Sequence, residues 1–365
     1  MVHELSVRDA RRIAVRAQLL AAPRPTDVLD VVRHLSVLQA DPTAAVAPSA
    51  ELVLWSRLGG AYRYGDLDRL LGDGSLVEFR GLVRPAEDMA LFRAEMELWH
   101  QPDVLTGWRR SQANWVEAND GARRDILEKL YDEGPLVSRA LPDTTEVPWQ
   151  SSGWNNDRNV RMLLELMERR GEVASPGRDG RDRLWDLAER VFPDDAAVPY
   201  DDAIRTRDER RLHSLGIARP KGPECPVEPN DVGLAGEPAV IEGVRGQWRV
   251  DPAYLDGDFE GRVAILSPLD RLVYDRKRMV DLFAFDYQLE MYKPAAQRRW
   301  GYWALPVLSG ENLVGKVDAT ADDKAGLLYV DAVHEDVAWS KQLKAAVDEE
   351  IESLALWLGL SVSGR

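Results

Sequence analysis

Four consecutive segments decide the fold: ARRDILEKLYDEG (122–134), PLVSRAL (135–141), WNNDRNVRMLLELMERRG (154–171) and EVASPGRDGRDRLWDL (172–187). The first is a helix closed by Gly134, the second reads as a short helix, and the third is a helix ending at Gly171. The fourth has two extended arms around Pro-Gly and Asp-Gly pairs, which is the pattern of a hairpin. Three short helices and a hairpin with an arginine-bearing turn make a winged helix, the helix-turn-helix variant with an added β-ribbon. A generic small α+β domain is the other reading of the same pattern.

The flanking sequence is also mixed. Ser6 stands at capping spacing from Asp9, and Ile13, Val15, Leu19 and Leu20 give a helical face. A second helix is expected from near Thr26, with Val28, Val31, Val32, Leu35 and Leu38 three and four residues apart. Pro42 must end it, because the residue before a proline is pushed out of the helical region. ELVLWSRLGG (51–60) reads as an apolar strand or short helix before a glycine turn. Residues 202–216 form a further helix, followed by the Pro- and Gly-rich loop 218–238. Then come the extended runs AVIEGV, QWRV, VAIL, YWALPVL, LVGKVDA and LLYVDAV. DVAWSKQLKAAVDEEIESLALWLGL (336–360) is an amphipathic helix.

With 365 residues, 45% hydrophobic and 30% charged, the chain has enough length for two or three domains and a sizeable core. The single cysteine, Cys225, excludes a disulfide framework and any Cys-built metal site. No stretch approaches the roughly 20 apolar residues of a membrane span. The first residues carry charges where a signal peptide needs an apolar run, so a cytoplasmic protein without membrane partners is expected. The net charge of -15 argues against broad attraction to nucleic acid. That charge is uneven: residues 191–260 carry a net of -7 and residues 322–365 a net of -5, whereas residues 261–321 carry +2.

Most catalytic signatures are missing. GENLVGKV (310–317) has the spacing of a phosphate-binding loop, but Val317 stands where the Mg²⁺-binding hydroxyl must be. The histidines show no metal-ligand spacing, and no GxSxG elbow occurs, so neither a metal nor a nucleotide cofactor is expected. VLQADP (37–42) is different. Gln39 continues an apolar stripe, and an inward amide needs partners. Pro42 makes Asp41 extended, and side chains two apart in an extended segment point the same way. Gln39 and Asp41 then place an amide and a carboxylate at one cleft. Helix-end capping plus a structural amide is the alternative.

Gln39-Ala40-Asp41, with LVLWSR twelve residues on, resembles the winged-helix DNA glycosylases of the AlkZ/YcaQ kind. The stretch 266–330 resembles them too, in the order SP-L-D, R-K-R, LF-FDY-E-Y-P, GY-LP and LVGK-D-A. The resemblance covers nearly the whole chain and is weakest over residues 201–260. It implies an α+β protein of tandem winged-helix domains with a small C-terminal β-rich unit and a terminal helix. Expected boundaries are 1–118 for the domain with the Gln-x-Asp motif, 119–200 for the second winged helix, and 201–365 for the third. It also implies an enzyme acting on double-stranded DNA with alkylated guanine, including interstrand cross-links. A monofunctional enzyme is expected, since no lysine stands near Gln39 in sequence to suggest Schiff-base lyase chemistry, and a monomer. Gln39 and Asp41 map onto the family's catalytic motif, with Ala40 smaller than its usual aliphatic residue.

Expected DNA contacts are Arg158 and Arg161 on the recognition helix and Arg178, Arg181 and Arg183 in the wing. Arg298, Arg299 and Lys316 flank aromatic residues in the net-basic segment, which suits phosphate contact with stacking. Trp55 and Arg57 are expected near the motif. Solvated surface charges and a packed β-core are the bland alternatives for these sets. ATADD (319–323) departs from the family by placing acidic residues where basic ones are common, which weakens phosphate binding. A non-catalytic winged-helix DNA-binding regulator is the rival function.

Overall fold

Small residues on the first helix explain why the two ends of the chain fold together. The computed structural model describes residues 1–150, 158–223, 225 and 227–364, so residues 154–157, the expected start of the third helix, lie outside that set. The opening helix Val7–Ala17 is capped by Ser6, whose Oγ accepts the Asp9 N–H, and it buries Ala10, Ile13, Ala14 and Ala17. Its alanines admit the backbone at Gly216, where an added Cβ would lie 2.7 Å from Ala17 Cβ and 2.9 Å from Ile13 O. Gly216 has a φ of +70°, so both space and conformation require glycine there.

The chain forms two units, residues 1–67 with 208–365 and residues 68–207. This differs from the expected division at 118 and 200. The reason is long-range pairing: His3–Leu5 pairs in parallel with Glu237–Ile241, and residues from both ends share one core. The result is a mixed α/β fold. No helix among the described residues is long and apolar enough to cross a membrane.

Unit one has two sheets. The first has the order His3–Leu5, Glu237–Ile241, Val244–Val250, Ile217–Ala218. The second runs Val263–Ile265, Leu305–Ser309, Asn312–Asp322, Leu327–Glu335, Ser361–Ser363, antiparallel except for its last, parallel pair. Each of the six expected extended runs contributes residues to a strand, although AVIEGV spans the turn at Glu242 and Gly243 and YWALPVL is a strand only from Leu305. Helices Val28–Leu35, Ser49–Leu58, Arg276–Phe283 and Lys341–Leu358 complete the unit. Its core joins Ile13, Trp248, Leu272, Met279, Leu282, Phe285 and Trp300.

Unit two contains helices Ala90–Leu98, Gly107–Ala118, Asp120–Glu133 and Asn159–Arg169. Its small sheet has the order Leu136–Val137, Asp182–Leu187, Val173–Ala174, with Arg178–Asp179 folded back on Asp182–Leu187 as the expected hairpin. Residues 135–141 are not the expected helix. Leu136 and Val137 pair with Trp185 and Leu184, and only one short 3₁₀ turn, Ser138–Ala140, follows. Cross-strand pairing satisfies the backbone better than an isolated helical turn after Pro135. Ile126, Leu130, Leu163, Leu164, Met167, Val173 and Trp185 form the core beneath.

Candidate functional site

Helix Val28–Leu35 starts at Asp27, whose side chain accepts the Asp30 N–H at 2.8 Å, and it stops three residues earlier than the periodicity suggests. Ser36 adopts a left-handed conformation with φ +64° and its N–H donates to Val32 O at 2.8 Å. Leu38 and Gln39 are therefore a short strand rather than the last turn of a helix. Leu38 is buried at 2% exposure, whereas Gln39, Ala40 and Asp41 are half-buried. Alternation along the strand turns Gln39 away from the core that holds Leu38. The expected inward amide is corrected on this point.

Asp41 is held by one of its two oxygens. Oδ1 accepts the Thr43 N–H at 2.8 Å, an Asx turn across Pro42. Among the described residues, Oδ2 and the Gln39 amide have no hydrogen-bond partner. The segment that follows is pinned twice. Ala45 O accepts the N–H of Ala321 at 2.8 Å, which ties it to the long strand Asn312–Asp322. Ser49 Oγ, buried at the start of the next helix, lies 2.8 Å from Ser267 Oγ.

That next helix, Ser49–Leu58, is buried along its whole length. Trp55 is 0% exposed and stacks on Trp357 with ring centroids 5.9 Å apart, so it does not line an open cleft. Arg57 is also fully buried. Its guanidinium makes a bidentate pair with Asp270, and it donates to Gln18 O at 3.0 Å, Gln18 Oε1 at 3.2 Å and Ser56 Oγ at 2.8 Å. All five N–H donors are used, so none is left for phosphate. Both residues are corrected from DNA contacts to parts of the scaffold that carries the motif. The SP-L-D motif supplies the clamp on this helix, Ser267 on Ser49 and Asp270 on Arg57.

Arginines of unit two divide into exposed and locked groups. Arg158 and Arg181 are exposed. Arg161 is 63% exposed and pairs with Glu165 one turn on, at 3.1 Å. Arg178 donates to both oxygens of Glu78 at 3.1 Å and remains 29% exposed. Arg183 is 17% exposed, paired with Glu168 and with Glu78, and its guanidinium lies 4.2 Å from the Trp185 ring centre. It braces the hairpin instead of facing a duplex, which corrects its expected role.

The basic segment of unit one divides likewise. Arg299 is 67% exposed beside exposed Asp286, and Arg298 lies 5.0 Å from the Tyr302 ring centre. Lys316 is 0% exposed: its ammonium lies 2.6 Å from Asp336 Oδ2 and over the rings of Phe285 and Trp300, at 4.3 and 4.5 Å. Burial pushes its pKa down, partly offset by Asp336. Lys316 is a core residue and not the expected phosphate contact. On the same strand, burial and nearby Asp331 push the Asp318 carboxyl up.

One cluster went unforeseen because its members are far apart in sequence. His34 Nε2 lies 2.7 Å from Ala17 O, and its ring is 4.8 Å from that of His213. Tyr254 OH lies 3.4 Å from the Nε2 of each histidine, and His213 Nδ1 lies 2.8 Å from Asp251 Oδ2. Burial lowers the His34 pKa, which favours the neutral ring. Among the described residues no group of His, Cys, Asp and Glu is arranged to hold a metal ion.

Comparison with known proteins adds the following. The profile of a family described as DNA glycosylase AlkZ-like matches residues 32–357. Among solved structures, the Streptomyces sahachiroi DNA glycosylase AlkZ is similar with a TM-score of 0.66 at 17% identity, over 99% of this chain and 100% of that one. At that identity the likeness is one of fold.

Proposed function

Because the chain belongs to the AlkZ-like DNA glycosylase family, with a match across residues 32–357, we propose that Asp41 and Gln39 are its catalytic pair. The proposed reaction is hydrolysis of the N-glycosidic bond of N7-alkylguanine in duplex DNA, extending to interstrand cross-links joined through N7. The protein is read as a monomer of tandem winged helices, for which the helix, strand, helix and hairpin of residues 120–187 provide the support.

Breaking the bond between C1′ and the base develops positive charge on the deoxyribose. A carboxylate beside that carbon stabilises the charge and takes a proton from the attacking water. N7 alkylation makes the guanine cationic, so the pair of electrons from the broken bond leaves it neutral. No protonation of the leaving group is then required, and one carboxylate suffices where glycosidases need two. Water supplies hydroxyl to C1′, its proton passes to Asp41 and on to solvent, and an abasic site remains.

The observation that carries this reading is the division of labour on Asp41. Oδ1 is fixed by the Thr43 N–H, which sets the plane of the carboxylate, and Oδ2 has no partner among the described residues. Gln39, two residues away and half-buried, offers an amide able both to donate to and to accept from a water or a sugar oxygen. Exposed Arg158, Arg161, Arg181 and Arg299 are the proposed phosphate contacts.

Release of free N7-methylguanine from a methylated duplex is the test. Asp41→Ala should reduce release by roughly 10²–10⁴-fold and leave duplex affinity nearly unchanged. Equal release by the variant refutes the role of Asp41. Duplex binding without any release by the wild-type chain favours the regulatory alternative.

A further inference from the structure

The segment Asp286–Trp303 of unit one holds an aromatic ring out in solvent on a braced turn. Tyr292 is 89% exposed. Its turn is closed by the Lys293 N–H, which donates to Glu290 O at 2.9 Å. Glu290 itself is 3% exposed. Its Oε2 accepts the N–H groups of Arg299 and Trp300 at 2.6 and 2.8 Å, and its Oε1 accepts the Lys293 ammonium at 2.8 Å. Arg298 Nε adds a bond to Lys293 O at 2.9 Å. A buried carboxylate is tolerated only when such donors offset its desolvation. Here they fix the turn before any ligand arrives, which lowers the ordering cost of a contact made by its tip.

The neighbouring charges suit an anionic polymer. Arg299 is 67% exposed, and its partner Asp286 is 77% exposed, so that pair is weak and exchangeable for phosphate. Arg298 lies over Tyr302, itself 39% exposed. The turn is also tied to the strand that pins the catalytic segment. Trp300 lies under Lys316, and Ala321, five residues along the same strand, binds Ala45 beyond Asp41. Five strand residues span about 17 Å, the rise of about five base pairs.

We propose that Tyr292 is a DNA-probing side chain, which stacks on a nucleobase left unstacked at the lesion or abasic site while Arg298 and Arg299 hold the adjacent phosphates. This inference rests on the glycosylase reading above. A planar, amphipathic ring stacks on any base without reading its identity, so the contact reports a gap in the base stack and not a sequence.

The full chain, titrated with a duplex carrying a tetrahydrofuran abasic analogue and with the same duplex intact, tests this by fluorescence anisotropy. Tyr292→Ala should weaken binding to the abasic duplex by about 5- to 100-fold, while Tyr292→Phe stays within about twofold because the ring remains. The salt dependence of binding should match wild type, since no phosphate contact is removed. Equal affinity of Tyr292→Ala and wild type overturns the inference alone, as does a Phe variant as weak as Ala. Failure of the wild-type chain to bind either duplex overturns it together with the DNA reading.

Discussion

Replacing Arg57 separates a scaffold role from a DNA contact more sharply than any other substitution. Arg57 and Asp270 are both 0% exposed. In Arg57→Ala the Asp270 carboxylate stays buried with the Leu272 N–H, at 2.9 Å, as its one remaining donor among the described residues. Gln18 loses the donor that satisfied both its backbone and side-chain oxygens. Removing one partner of a buried ion pair costs about 3–5 kcal/mol. For a unit of this size each kcal/mol lowers the melting temperature by about 2–4 °C, so a fall of about 6–20 °C is expected. Arg57→Lys should recover little, because an ammonium cannot reproduce a bidentate fork. Arg57→Met combined with Asp270→Leu should recover most of the loss, since it leaves no unpaired charge behind. Thermal melts of the purified chain are the primary assay. Duplex affinity measured against salt for the folded variants is the second. A phosphate-contacting arginine would reduce the slope of log affinity against log salt by about 0.9. A melting temperature unchanged within about 2 °C, together with that reduced slope, refutes the scaffold assignment.

Two further outcomes follow from the packing. Glu95 is desolvated, yet Arg80 and Arg207 hold its pKa down from 4.5 to about 2. Its stabilisation, about 3 kcal/mol, is therefore complete above pH 4.5 and lost as pH falls from there toward about 2; Glu95→Gln should lose this acid dependence and be less stable at pH 7 by urea unfolding. An unchanged acid limb would refute the pairing. Gly301 has a φ of +117°, and an added Cβ would lie 1.8 Å from Asp318 Oδ2. Gly301→Ala should cost at least about 2 kcal/mol by urea unfolding, and Asp318→Ala should relieve part of that cost in the double variant; full additivity of the two would refute direct contact.

Local periodicity read the strands well because each of the six extended runs carries its own alternation or apolar block. It failed at Gln39, where the helical spacing of Val28 to Leu38 continues past Ser36 although the backbone there turns left-handed. No spacing rule encodes that single conformational choice. The cationic side chains were harder still. Arg178 meets Glu78 across 100 residues and Arg57 meets Asp270 across 213, so local sequence gives no sign that either is paired. Lys316 looked like an edge charge beside aromatics, but those aromatics fold over it. The motif itself was legible as residue types in order. Its support, Ser49 on Ser267 and Ala45 on Ala321, exists only after the distant segments meet.

The division of the chain also sets an order of assembly during synthesis. Unit two is continuous, from Asp68 to Arg207, and is complete in sequence once the ribosome has passed it. Unit one is not: the segment bearing Gln39 and Asp41 must wait for residues 208–365, which at 5–20 residues per second takes roughly 8–30 s. Throughout that interval the nascent chain carries the motif without the strand that anchors Ala45 or the carboxylate that receives Arg57. The scaffold around the motif is thus missing from unfinished chains, and a premature stop after residue 41 and before residue 321 yields a product that has the motif but not its anchor.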